Sequence, residues 1–202
     1  MENLSESGRN YFLRMKDESY RMQTLIEDLL AYTRTGTTER IFKRTDLGEL
    51  AKEVVEEFGE ALTENKGRVE IGEMCTVNVI PFQIRQLLQN LISNSFKFAK
   101  EDIPPHITIR SIIVEGSTVT DTQLTAQRKY CLLSVSDNGI GFEPQYKDRI
   151  FEVFQRLHGK DQYKGTGIGL AIVKKIVDNH NGVVTATGAL GEGAFFQVYL
   201  PV

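Results

Sequence analysis

The sequence predicts an α+β fold, a mixed sheet with helices on one face, preceded by a long amphipathic helix. Segments with helical spacing and segments with alternating spacing interleave without the strict alternation of a βαβ protein. The N-terminal stretch carries a narrow apolar seam, and short β-branched runs bounded by turn residues gather in the second half. The 202 residues are enough for one ordinary domain and a smaller appendage.

In chain order, Phe12, Met15, Ser19, Met22, Ile26 and Leu29 fall at spacings of three and four, a heptad seam with one polar position. Leu25 and Leu30 widen it. This predicts one helix from about Ser7 to Tyr32 whose seam pairs with another helix or a second copy, because alone it has nothing to bury it. Thr33–Lys43 is polar, contains Gly36 and reads as a hinge. A helix follows from Asp46, with Glu49 completing a capping box and Leu50, Val54, Val55, Phe58 and Leu62 as its apolar side. Short strands are expected at Arg68–Ile71 and Thr76–Ile80. Pro81 opens a helix to about Lys100, and strands follow at Ile107–Val114 and Tyr130–Ser136. The polar Glu115–Lys129 segment reads as a long hairpin loop. Tyr146–Phe154 is expected to be helical, His158–Lys164 a loop and Gly169–His180 a helix. Val183–Thr187 and Ala194–Leu200 form the last strand pair.

Composition narrows the function classes. Hydrophobic residues make up 41% and charged residues 25%, a soluble globular mix with a formal net charge of −3. There is no basic run, so nucleic acid is not expected as a partner. No apolar stretch reaches the roughly 18 residues of a membrane span, and no signal peptide opens the chain. Membrane contact by this segment is therefore not expected, although a parent receptor could be membrane-anchored. Cys75 and Cys131 lie far apart in sequence with no histidine at zinc spacing, which fits a reduced, cytoplasmic setting.

Three segments carry chemistry. In PFQIRQLLQNLISNSFKFAK, Ile84, Leu87, Leu88, Leu91, Ile92 and Ser95 form one buried face, while Asn90, Asn94 and Lys97 form a separate stripe at i, i+4 and i+7. Two amides and an ammonium along one helix edge suit a hydrated Mg²⁺ with phosphates attached, since amide oxygens are hard ligands and Mg²⁺ keeps most of its waters. The same residues also suit a plain solvated face. In SVSDNGIGF, Asp137 ends a strand and is followed by Gly139 and Gly141. A carboxylate held there can accept from the exocyclic amine of adenine, although an Asp-Gly turn is common. In GTGIGLAIVKKIVDNH, Gly165, Gly167 and Gly169 stand just ahead of a helix, where unhindered backbone N–H groups cradle phosphate. A dinucleotide fingerprint does not fit, because a charged loop and not a strand precedes these glycines. A Walker loop does not fit either, because no Lys-Ser/Thr follows them.

With these motifs in order, the chain resembles the ATP-binding domain of bacterial sensor histidine kinases. These belong to the GHKL group shared with DNA gyrase, the MutL repair ATPases and the ninety-kilodalton heat-shock chaperone. NLISNSFKF resembles that family's asparagine box, DNGIGF its first glycine box, and IFEVFQRLH its phenylalanine box. GTGIGL resembles the second glycine box and GEGAFFQVYLP the third, all within Thr45–Val202. The resemblance implies the two-layer GHKL (Bergerat) sandwich and ATP with Mg²⁺ as cofactors. Asn94 would be the principal metal ligand, helped by Asn90, with Lys97 on phosphate and Asp137 on the adenine amine. Gly139 and Gly141 would flank the base, and Gly165, Thr166, Gly167, Ile168, Gly169 and Leu170 would close over the phosphates. Gln155–Lys164, Lys164 included, would be a mobile lid anchored by Phe151 and Phe154, with Arg156 directed at the γ-phosphate.

The N-terminal RMQTLIEDLLAYTRT is similar to the second helix of the dimerisation module in phytochrome-like sensor kinases. This implies residues 1–34 as a partial dimerisation helix, 35–44 as linker and 45–202 as the ATP-binding catalytic domain. It also implies homodimerisation through the N-terminal helix in the full-length protein and a response-regulator receiver domain as partner. The acceptor histidine would lie on the first helix of that module. His106, His158 and His180 do not read as substitutes, so the expectation is a protein-histidine kinase that does not autophosphorylate as this chain alone. Gyrase-like members carry a water-activating glutamate at the position of Asn90. An amide cannot serve as that base, which favours phosphoryl transfer over hydrolysis. A GHKL ATPase, or a non-catalytic ATP-binding and dimerisation module, are the alternatives. Ala194, where the family often has a hydroxyl, and Ser95, where it often has alanine, depart from the pattern.

Overall fold

The computed structural model describes residues 6–37, 41–119, 124–157 and 165–202. Helix α1 spans Glu6–Thr37, running past Tyr32 and through Gly36, a residue whose presence inside a helix costs about 1 kcal/mol. Its seam residues Phe12, Met15, Met22, Ile26 and Leu29 face solvent. A second stripe bearing Leu25 and Tyr32 packs half-buried against the rest of the molecule. One helix thus presents two apolar edges, and the domain uses only one of them.

The expected hinge, Thr33–Lys43, is helical as far as Thr37, and its last residue, Lys43, opens a strand. β1 (Lys43–Asp46) pairs antiparallel with β3 (Thr76–Val79), apart from the main sheet. Asp46 then caps α2 (Leu47–Glu57), its Oδ1 accepting from Gly48 N at 2.7 Å and Glu49 N at 3.2 Å. The Glu49 side chain pairs with Lys52 and does not close the box. α2 stops at Phe58, whose ring stacks on Phe96 with centroids 5.8 Å apart, and the short α3 (Gly59–Glu64) continues separately. The single helix expected through Leu62 is therefore two.

The main sheet has five strands in the order β2 (Arg68–Ile71), β4 (His106–Glu115), β5 (Lys129–Asp137), β7 (Gly193–Pro201) and β6 (Val183–Ala189). β2 pairs parallel with β4 and the other pairs are antiparallel. The sheet is mixed, as expected. Two long helices, α4 (Pro81–Lys97) and α5 (Gly169–Asn179), pack together on one face. Pro81 starts α4 where a missing N–H costs nothing, and Ile84, Leu87, Leu88, Leu91 and Ile92 are buried along its inner face. They meet Ile107, Ile109, Leu133 and Val135 from the sheet and Ile172 and Ile176 from α5. Tyr146–Phe154 is not the continuous helix expected. It forms two single 3₁₀ turns, Pro144–Tyr146 and Arg149–Phe151, because only Ile150 in this stretch is buried and no helical stripe exists.

His180 ties the end of α5 to the start of α4. Its Nδ1 donates to Ile176 O at 2.7 Å and its Nε2 accepts from Ile80 N at 3.0 Å, which fixes one neutral tautomer. Phe42 stands edge-on to the ring at 5.3 Å. Cys75 and Cys131 are free thiols that the fold brings together. Burial, then the neighbouring Cys75, pushes Cys131 up to about 12, an unreactive core thiol.

Candidate functional site

The asparagine stripe of α4 runs along one wall of a cleft of about 340 Å³, within the range of about 300–1,000 Å³ usual for small-molecule sites. Asn90, Asn94 and Lys97 all line it. Asn90 Nδ2 donates to Gln86 O at 2.8 Å, which leaves Oδ1 for the cleft. A side chain at Gly169 would bring its Cβ within 2.9 Å of that oxygen, so α5 begins directly opposite the amide. The Asn94 side chain lines the cleft and has no hydrogen bond among the described residues, so its amide oxygen is available to a ligand. Lys97 is half-buried, and burial first, then the charge of Arg156, lowers its pKa, against an opposing influence from Asp28.

Asp137 closes the other end. As the last residue of β5, it leaves the sheet where Gly139 and Gly141 turn the chain away. Its Oδ1 accepts from Gly139 N at 2.9 Å and Ala194 N at 3.1 Å, and its Oδ2 lies 3.2 Å from Ser95 Oγ. Burial pushes the carboxyl up, while these hydrogen bonds and the field of Lys100 pull it back. Gly141 has φ +67°, and a Cβ there would collide with the carbonyl of Ala189, so this wall is built from bare backbone.

The glycine loop covers the end of the cleft opposite Asp137. Gly165, Thr166, Gly167, Gly169 and Leu170 line the cleft, and a Cβ at Gly165 would collide with the Lys97 ammonium. Ile168 turns inward and is fully buried, anchoring the loop to the core. No side chain caps α5, so the N–H groups of its first turn remain donors for an anion. Gln155 and Arg156 line the cleft, and Phe151 packs half-buried against the core. Phe154 donates its N–H to Gly167 O at 3.0 Å, but its ring is 59% exposed with φ +65°. Phe154 therefore holds the glycine loop through its backbone and not through a buried ring. Lys164, His158 and the 158–164 part of the expected lid lie outside the described residues.

Two cleft residues, Thr24 and Asp28, come from α1. The Asp28 carboxylate accepts a hydrogen bond from the Thr166 hydroxyl. Nothing in the sequence signalled this, because the contact exists only once α1 docks. Ser93, Phe98, Phe142, Ile150, Leu157, Ala194 and Phe196 complete the lining. Their signal was partial, since each neighbours or faces a motif residue. His106 and His180 do not line the cleft. His106 Nε2 stands 3.1 Å from Glu70, and both ring nitrogens of His180 are engaged. Among the described residues no cluster of three or more His, Cys, Asp or Glu could hold a metal, and no helix is long and apolar enough to cross a membrane.

Residues 80–202 match the model of the histidine kinase-, DNA gyrase B-, and HSP90-like ATPase family. The phytochrome-like protein Cph1 of Synechocystis is 38% identical over 181 residues, which cover 90% of this chain and 22% of that protein. The chain thus spans about a fifth of that relative's length. Full-length ShkA in complex with AMPPNP is similar in fold, with a TM-score of 0.72 and 24% identity over 99% of this chain and 40% of ShkA. So is the histidine kinase ThkA in complex with the response regulator protein TrrA, with a TM-score of 0.67 and 22% identity over 99% of this chain and 53% of ThkA.

Proposed function

The chain belongs to the histidine kinase-, DNA gyrase B-, and HSP90-like ATPase family, as the ATP-binding catalytic portion of a sensor histidine kinase, and from that premise we propose how its cleft works. Residues 45–202 form the catalytic domain, α1 is the second helix of a dimerisation module, and 35–44 connects them. Adenine lies at the Asp137 end, where Oδ2 accepts from the exocyclic amine. The polyphosphate lies at the far end under Gly165–Leu170 and the open N-terminus of α5. Asn94 and Asn90 would hold Mg²⁺, which when bound would supply positive charge beside the phosphates. Their oxygens suit this hard ion, since Asn90 has spent its N–H on Gln86 and Asn94 is left without a partner among the described residues.

Lys97 and Arg156 compensate negative charge and position the γ-phosphoryl for in-line transfer to a histidine of another segment. His106 and His180 support that reading, since both are held away from the cleft. Asn90 argues against hydrolysis, because an amide activates no water. The exposed seam of α1 supports homodimerisation, and the likeness to a kinase solved with its regulator supports a receiver domain as the final acceptor. The carrying observation is one cleft with a half-buried carboxylate at one end and two amides, an ammonium and a glycine loop at the other.

The test has two parts. Calorimetry should find Mg²⁺-dependent ATP binding that Asp137→Asn abolishes. Radiolabelled ATP mixed with a helical hairpin carrying an acceptor histidine should label the hairpin, with basal hydrolysis remaining low. Absence of label would leave only a nucleotide-binding module.

A further inference from the structure

Ser95 lies on α4 next to Asn94, is 2% exposed and stands behind Asp137, outside the lining of the cleft. Its Oγ is 3.1 Å from Leu91 O and 3.2 Å from Asp137 Oδ2. Both neighbours are acceptors, and a serine hydroxyl has a single hydrogen. Bonding back to the carbonyl four residues earlier is the ordinary choice for a helical serine. An ionised carboxylate is the stronger acceptor and takes the hydrogen while Asp137 is charged. When Asp137 is protonated the hydroxyl turns to Leu91, and its lone pairs receive the carboxylic hydrogen. Ser95 therefore has two positions, chosen by the charge of the group beside it.

The two oxygens of Asp137 are not equivalent. Oδ1 is occupied by the N–H groups of Gly139 and Ala194, which hold the carboxylate plane. Oδ2 has Ser95 as its hydrogen-bond partner among the described residues and is the oxygen left for a ligand. We propose that Ser95 is a positioning and specificity residue for the purine: its hydroxyl holds Asp137 Oδ2 charged and correctly turned for the amine of adenine. This rests on the reading of Asp137 as the adenine acceptor.

The electrostatics agree. Burial favours the neutral acid at Asp137, and only hydrogen bonds and Lys100 oppose it. From β5, the turn after it and the start of β7, the groups meeting the carboxylate are the backbone N–H groups of Gly139 and Ala194. α4 supplies Ser95, and Lys100 beyond its end is the charged neighbour. Without the hydroxyl, more of the carboxyl is protonated at a given pH. A protonated Asp137 is a donor, and a donor there suits the carbonyl of guanine in place of the amine of adenine.

The experiment titrates the whole chain with Mg²⁺ and ATP, GTP or purine riboside triphosphate, which lacks the amine, across the acid range. Ser95→Ala is compared with Ser95→Thr, which keeps the hydroxyl, and with Asp137→Asn. The Ser95→Ala variant should weaken ATP about three- to tenfold at neutral pH, as expected for loss of one charge-assisted hydrogen bond. It should leave the amine-free analogue within about twofold and move the acid limb of ATP binding up by roughly half a unit or more. ATP over GTP preference should fall most at low pH, and Ser95→Thr should restore both limb and preference. Equal losses for ATP and its analogue, or an unmoved limb, overturn the proposal. If Asp137→Asn also keeps its preference for the amine, the base reading itself falls. If Asp137→Asn loses it while Ser95→Ala changes nothing, only the role of Ser95 falls.

Discussion

The carboxylate of Asp28 accepts a hydrogen bond from the hydroxyl of Thr166, 138 positions along the chain. A residue of the N-terminal helix thus grips the loop at the phosphate end of the cleft. Leu25 and Tyr32, on the same edge of α1, pack against the domain, and the Lys175 ammonium lies 4.0 Å from the centre of the Tyr32 ring. Asp28 also raises the pKa of Lys97, so it already occupies part of the field that a polyphosphate would meet.

An anion at the end of a cleft that takes phosphates opposes its ligand. Asp28→Asn keeps the side-chain shape and removes the charge. Its ATP affinity is expected to rise about three- to tenfold, a value that allows for solvent around a half-exposed group. AMP affinity should change much less, and the gap should shrink at high salt. Calorimetry with both nucleotides at two ionic strengths checks this. An equal gain for AMP would mean that Asp28 does not act through the phosphates.

Lys97 should show its depressed pKa in the alkaline range. Burial, then Arg156, disfavours the ammonium, so it loses its proton below the pH of an ordinary lysine. Affinity for ATP should therefore fall between neutral pH and about pH 10, earlier than an unperturbed lysine would allow. Lys97→Arg keeps its charge throughout and should flatten that limb. Lys97→Met should weaken ATP about tenfold or more at every pH. A limb that persists in the arginine variant would assign it to another group.

How much of this was legible depended on whether a signal was local. Asn90, Asn94 and Lys97 share an edge because 3.6-residue geometry dictates it, and the glycines before α5 mark a helix N-terminus within six residues. The sheet order β2-β4-β5-β7-β6 was not legible, because pairing between strands remote in the chain leaves no local pattern. β1 was missed because Lys43–Asp46 is a short polar strand whose pairing with Thr76–Val79 is remote. Tyr146–Phe154 departs from its expected helix because its apolar residues find almost no core to meet, Ile150 alone being buried. The positive φ and exposed ring of Phe154, and its backbone bond to Gly167, were not legible either, since aromatic character reveals none of them. Asp28 was invisible as a cleft residue because its place depends on one rigid helix docking on another.

His180, which does not read as an acceptor in the sequence, is structural, and its removal should show in stability. It is 4% exposed and gives the Ile80 N–H its acceptor at the start of α4. His180→Ala leaves that buried donor unpaired, empties the ring volume and removes the edge contact with Phe42. The expected loss is about 2–4 kcal/mol. Chemical denaturation measures it, and ATP affinity of the folded fraction should stay within about twofold, since the ring does not line the cleft. A loss below about 0.5 kcal/mol, the range of ordinary surface substitutions, would contradict this account.

Asp137 should trade stability for binding, and pH gives the sign. Its carboxyl is raised by burial above the ordinary range, so between the unfolded and folded values the native state holds more protons than the unfolded state. Stability therefore falls as pH rises through that window, and the penalty is complete above the folded pKa. Asparagine removes the charge and can still satisfy every neighbour. Its oxygen accepts from Gly139 N and Ala194 N, and its amide donates to Ser95 Oγ, which turns to Leu91 O. The nucleotide-free Asp137→Asn protein should be as stable as the parent at acid pH and more stable at neutral pH, by about 1 kcal/mol. ATP binding should be lost over the same range, because the amide offers the adenine amine a donor where it needs an acceptor. Thermal melts of the two proteins at pH values on either side of the window decide the matter. A variant less stable than its parent at neutral pH would mean that the Gly139 and Ala194 hydrogen bonds need a full negative charge to hold the turn.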